Sequence, residues 1–274
     1  MLQIFFAVSF CRWKKENIMQ LLHQTISKLK GFKEWFDTLD LHESQLVLGL
    51  SGSVKHLAES CAFEKLDKQL VIVTPTLLQA TQTYEELSEW YADEIVHLFP
   101  VEESLAADFS VVSPDVVSQR IRTLDFLSRG EKGIVIVPLS GIQKLLVPVA
   151  VWKKSSIELA MGSEIESMDA FVEQLVELGY RRENMVATPG EFALRGSIVD
   201  IYPLDQEYPL RLDFFDTEVD SIRAFNAETQ RSMDVINEVR ILPATDLPLQ
   251  KEAVWKAQAK IHALYEKDVK AAQS

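Results

Sequence analysis

Cysteine is nearly absent. Cys11 and Cys61 are the only two in 274 residues, too few for a disulfide framework or a zinc site, and suited to a reducing cytosol. The five histidines, His23, His42, His56, His97 and His262, are scattered and show no ligand spacing, so neither a metal nor any other cofactor is expected. Positive charge is also scarce. With 28 Lys and Arg against 41 Asp and Glu the formal net charge is −13, which excludes a broad surface for DNA or anionic lipid, because phosphate binding relies on clustered cations. Long apolar runs are missing too. The stretch 2–11 is too short to cross a bilayer, and Arg12, Lys14 and Lys15 follow it rather than precede it, contrary to a secretory signal. Residues 1–18 read as an upstream extension of a chain that starts at Met19, and the protein is expected in the cytoplasm without membrane contact.

What is present is apolar sequence, 47% of the chain, enough to bury the core of one large domain or of two modest ones. From residue 45 to about 150 short β-branched runs alternate with amphipathic stretches. The runs "QLVLGL" (45–50), "QLVIVTP" (69–75), "EIVHLFP" (94–100) and "GIVIVPLS" (133–140) predict strands buried on both faces of a parallel sheet. Helices are predicted at Val54–Phe63, Leu77–Tyr91 and Asp115–Ser128, the last with Val117, Ile121, Leu124 and Leu127 on one face. Residues 19–150 are therefore expected to form an α/β domain of the doubly wound, nucleotide-fold type.

Beyond 150 the pattern changes. Residues 167–180 predict one helix with Ser167 as N-cap, Phe171, Val172, Leu175 and Val176 facing inward, and Gly179 at its end. The runs 196–203, 210–216 and 218–226 then follow one another through short polar connections, as in an antiparallel β-meander packed on that helix. An α+β module over 151–243 is expected, with Phe192, Phe214 and Phe215 in its core. Residues 244–274 predict a helix with an apolar stripe and no stop signal, the start of a further segment of a longer protein.

In a doubly wound fold the first strand–loop–helix turn holds the ligand, and here that turn reads "LGLSGSVKH". Gly49 and Lys55 stand at the spacing of a phosphate-binding loop, with Gly52 between them. A working loop needs glycine before the lysine, so that backbone N–H groups close on the phosphates, and a hydroxyl after it for Mg²⁺. Val54 and His56 occupy those positions, and no acidic residue ends the run Ile134–Val137 to hold the metal. The expectation is a degenerate loop, with Lys55 a solvated lysine on a first helical turn.

The segment 180–232 carries the runs G-E-F-x-x-R-G, D-I-Y-P, R-L-D-F-F-D, S-I-R-x-F and E-T-Q-R-S. In these it resembles the module shared by bacterial UvrB and the transcription-repair coupling factor, and the α/β part from about Met19 is similar to the same family. The lost phosphate loop, and the lack of any tyrosine in 101–124, where UvrB has a tyrosine-rich hairpin, fit the coupling factor. The resemblance then implies a non-catalytic N-terminal module that recruits the excision-repair ATPase UvrA to stalled RNA polymerase. The motor, and contacts with polymerase and DNA, would lie in downstream domains, and other domains of the parent protein would be intramolecular partners. The alternative is the N-terminal part of a UvrB-like ATP-dependent DNA helicase, and a plainer one is a nucleotide-fold scaffold for some other partner. Family contacts to UvrA map onto Arg181, Arg182 and Arg195, with Tyr202 a further candidate; a family arginine is replaced here by Ala193. Read without the resemblance, Arg182 would pair with Glu183 or Glu191 as a surface ion pair, and Arg211 and Arg223 with Asp213 or Asp220 across the sheet.

Overall fold

A computed structural model describes residues 21–248 and 251–273, except 27, 29, 42, 43, 93 and 102–112. The expected extension at 1–18 and much of the tyrosine-free segment 101–124 lie outside the described residues. The chain divides into two units, Met1–Leu105 with Arg129–Lys144, and Ala106–Ser128 with Leu145–Ser274.

The first unit is built on three parallel strands, β1 (Leu70–Thr74), β2 (Val96–Leu98) and β3 (Ile134–Pro138), in the order β1-β3-β2. β3 is central and buried at every residue, which is why it reads as an unbroken Val/Ile run. The helices Ser53–Leu66 and Leu77–Trp90 follow the predicted spans closely. Thr76 caps the second, its hydroxyl accepting the Gln79 N–H at 3.3 Å, a contact worth about 1 kcal/mol. Phe63, Ile72, Leu87, Leu98 and Ile136 pack between helices and sheet.

One expected strand is missing. Residues 45–50 form no strand, and Leu46 and Leu48 are 84% and 79% exposed. Both edges of β3 are already taken by β1 and β2, so this apolar run has no central place left to pair.

The second unit contains β4 (Ile157–Ala160), β5 (Arg181–Arg182), β6 (Glu191–Arg195), β7 (Ile198–Ile201), β8 (Leu210–Phe215), β9 (Glu218–Phe225), β10 (Ser232–Ile236) and β11 (Glu238–Ile241). Strands β10-β9-β8-β7-β6-β5 make one six-stranded sheet in that spatial order, antiparallel except for the short parallel pair β5–β6, while β4 pairs with β11. The meander was expected from three runs; those are β7, β8 and β9.

The helix Met168–Glu177 lies on the inner face of this sheet. Its Ser167 cap accepts the Ala170 N–H at 3.1 Å, and Phe171 and Leu175, one turn apart, pack against Phe192, Ile201, Leu212 and Phe214. Val176, expected inward, is 54% exposed, because one step from Leu175 carries it a further ~100° round the helix. Phe215, expected in the core, is 79% exposed beside buried Phe214, as the two-residue period of a strand requires. The helix Pro114–Arg129 packs within this unit, with Ile121 against Trp152, Leu204 and Leu242, and Arg240 bridging to Asp125 at 2.9 Å. Among the described residues, no helix is long and apolar enough to cross a membrane and no group of ligating side chains could hold a metal ion.

Candidate functional site

The loop that resembles a nucleotide site comes first in the chain. Gly52, at φ 56°, is the N-cap of the helix Ser53–Leu66, a backbone geometry that glycine tolerates without strain. Val54 is half exposed on the first turn. Lys55 points along its own helix, its Nζ 3.6 Å from Glu59 Oε1 one turn on. His56 is buried, with Nδ1 2.9 Å from Glu59 Oε2 and Nε2 3.7 Å from Glu86 Oε2. Lys55 and His56 therefore serve the helix and its neighbour, and with residues 45–50 outside the sheet no strand feeds the loop. Gly49 sits at φ 84° in the approach to it.

The meander offers a different arrangement. A two-residue hairpin at Gly196 and Ser197 joins β6 to β7, bringing Arg195 opposite Ile198 and Ala193 opposite Asp200. Gly196 takes φ 63° there, which accounts for glycine after the arginine. Since alternate residues share a face, the outer face carries Glu191, Ala193 and Arg195 on β6, Asp200 and then Tyr202 at the end of β7, and Arg211 on β8. Register places Arg181 opposite Glu191 and Arg182 opposite Phe192. Arg181 thus shares the outer face with Arg195 and Tyr202, its Nη2 3.8 Å from Glu191 Oε1. Arg182 stands on the opposite face of the edge strand, exposed, with no side-chain partner among the described residues.

Asp200 is the hub of the outer face. Its side chain is fully buried, and it accepts Arg211 Nε–H at 2.6 Å and Nη2–H at 2.9 Å, while Arg195 Nη2 also donates to it. Arg211 was expected to pair with Asp213 or Asp220; the register Asp200↔Arg211 gives it Asp200 instead. Hydrogen bonding to that carboxylate raises the Arg211 pKa above its ordinary value, against the opposite pull of burial. The Arg211 guanidinium also lies 4.5 Å from the centre of the Phe225 ring.

Glu191 does local work. Although burial acts to raise its pKa, the N–H groups of Ala187 and Thr188, the Thr188 hydroxyl and the Arg181 charge together hold it below the ordinary range. It thereby fixes the 187–190 turn beside Arg181 rather than pairing with Arg182. Tyr202 packs its ring against Val186, Ala193 and Phe225 and donates its hydroxyl to the Glu207 carbonyl at 2.8 Å. Ala193 is fully covered in that cluster. Asp200 and Gln230, whose carbonyl accepts from Arg211 at 3.4 Å, carried no signal as single residues; the strand register reveals the first and the turn between β9 and β10 the second.

The family match falls on this unit. Residues 157–247 match the UvrB interaction domain, a span that holds all the candidate arginines and Tyr202 and leaves out the loop at 49–56. The chain is 43% identical over 241 residues, 88% of its length, to a Transcription-repair-coupling factor of Staphylococcus epidermidis. It is 41% identical over 224 residues, 81% of its length, to that of Bacillus subtilis, and 40% identical over 246 residues, 90% of its length, to that of Staphylococcus haemolyticus. These alignments cover 20%, 19% and 21% of the respective relatives, so the chain spans about a fifth of the length of the curated relatives it matches.

Proposed function

Because residues 157–247 form a UvrB interaction domain and most of the chain is homologous to transcription-repair-coupling factors, we propose that it is the N-terminal recruitment module of such a factor. The outer face of its meander binds UvrA, and the chain turns over no nucleotide. In this reading residues 19–150, apart from the helix Pro114–Arg129 that packs within the second unit, are a UvrB-like scaffold, 151–243 the UvrA-binding module and 244–274 the lead into the rest of the protein. Contacts with stalled RNA polymerase and DNA, and the ATP-driven motor, belong to that remainder, and the whole works in the cytoplasm.

The observation that carries the reading is the gathering of Arg181, Arg195 and Tyr202 on one face of the matched domain. Arginine suits a protein partner there, because its planar fork meets carboxylates in pairs and stacks on aromatic rings. Arg182, exposed at the adjacent edge with no side-chain partner among the described residues, extends the basic surface round the sheet.

Calorimetry with UvrA tests the proposal. Changing Arg182 and Arg195 together to Ala is expected to cost more than about 2 kcal/mol of binding. The loss in thermal stability should stay near ~1 kcal/mol or below, because Asp200 keeps both bonds from Arg211. Lys153→Ala with Lys154→Ala, also exposed, is the charge-matched control and should bind like wild type. Equal weakening in the control, or no binding by the wild-type chain, would refute the assignment.

A further inference from the structure

Three of the sequence runs that define the module meet at one carboxylate. Arg195 comes from the G-E-F-x-x-R-G run, Asp200 from D-I-Y-P and Arg211 from R-L-D-F-F-D, and the strands that carry them are neighbours. Asp200 is fully buried, Arg211 is 21% exposed and Arg195 is 50% exposed. The two arginines therefore sit differently on the same group. Arg211 binds both carboxylate oxygens, and is itself held by the Phe225 ring and the Gln230 carbonyl. That pairing alone neutralises Asp200 and satisfies both of its oxygens. The second guanidinium is not needed to keep the carboxylate buried.

Arg195 instead touches Asp200 through Nη2 alone and makes no other hydrogen bond among the described residues. Of the five N–H donors on an arginine one is engaged, and the rest have no partner among the described residues while the side chain is half exposed. The cluster of two guanidiniums and one carboxylate keeps a net positive charge, and that charge is displayed on the half-exposed side chain. A free arginine at a surface samples many rotamers and loses that freedom when a partner captures it; one tethered at Nη2 has lost much of it beforehand.

We propose that Asp200 is a positioning residue for the interface: it anchors Arg195 by one nitrogen, with Arg211 as the clamp that fixes Asp200, and so presents the free edge of the Arg195 fork to a carboxylate on the partner. This rests on the reading that the meander binds UvrA.

The test is a double-mutant cycle in UvrA affinity, measured by calorimetry on the whole chain, with melting of every variant recorded alongside. Asp200→Asn should weaken binding about tenfold in the wild-type background and by less than about twofold once Arg195 is Ala, because it then has nothing to position. Independent, multiplicative losses would overturn the positioning role while leaving the UvrA reading intact. Should Asp200→Asn fail to fold, Arg195→Lys decides the matter. A lysine keeps the charge but has no second edge once drawn to Asp200, so it should bind as weakly as Arg195→Ala, and wild-type affinity in that variant would overturn the proposal. Absence of binding by the wild-type chain would remove the UvrA reading and the positioning role together.

Discussion

The loop at 49–56 and the outer face of the meander both carry residues that belong to recognisable patterns, yet they are organised on different length scales. In the loop every side-chain contact of the pattern is local or between adjacent helices: Lys55 and His56 turn to Glu59, and His56 also meets Glu86. In the meander Arg195, Asp200, Arg211 and Gln230 come from three neighbouring strands and the turn after β9, and they end on one another. A ligand site needs groups converging from several elements. Motif spacing along the chain is preserved in both places, but convergence is found only in the second.

The outer face depends most strongly on the core beneath it. Phe192 is fully buried under the outer face, between β6 and the helix Met168–Glu177, so Phe192→Ala should destabilise the second unit by about 3–5 kcal/mol. Phe215, the same residue type but exposed at the end of β8, should cost less than about 0.5 kcal/mol when changed to Ala. Denaturant titration of both variants checks the contrast, and equal effects would mean that the burial assigned to β6 and β8 is wrong.

A smaller effect sharpens the electrostatics of the same face. Glu191 holds its turn as a carboxylate with a pKa below the ordinary 4.5. A carboxyl whose pKa is lower folded than unfolded stabilises fully above the unfolded value and loses that contribution as pH falls through the folded one. Glu191→Gln should therefore be less stable than wild type by about 1–2 kcal/mol at pH 7, and the gap should close below pH 4.5. A gap that persists unchanged at pH 3 would assign the effect to packing.

The smallest effect belongs to the loop. Lys55→Ala removes one exposed i,i+4 pair and should cost about 0.3–0.5 kcal/mol. Neither it nor the wild type should show saturable binding of Mg²⁺-ATP at micromolar concentration. Saturation in the wild type, lost in Lys55→Ala, would reverse the comparison and favour the helicase alternative.

The sequence carried the longer helices well, because a cap such as Ser167 and a 3.6-residue period are local signals, but not the short ones at Lys30–Thr38 and Val149–Lys154. Strands were harder. β7, β8 and β9 were legible from alternation, but β5, with two residues, and β4 and β11, paired across some eighty positions of chain, depend on partners that no window contains. The run at 45–50 failed for the converse reason: it has strand composition, but both sides of the central β3 are taken by β1 and β2. At the candidate site Arg181, Arg195 and Tyr202 were identifiable from resemblance, whereas Asp200 was not. A buried aspartate in a strand looks like any polar residue of an alternating pattern until register brings two arginines to it. The helix Pro114–Arg129 shows the same limit: its apolar face was readable, but not that it would pack on Trp152 and Leu242.

The short outermost strand β5 has an effect on self-association. The six-stranded sheet ends on one side in two residues, both arginine, and on the other in β10, whose register shifts between Ser232 and Val235. An open sheet edge is a template on which a second copy can add its own strand, and brevity, like charge and bulges are the features that deter it. At β5 two copies meeting edge to edge would bring four guanidiniums together over a ladder of two residues; at β10 the irregular edge spoils a continuous one. The same adjacent arginines that are proposed to meet the partner thus also work against strand addition by a second copy at this edge.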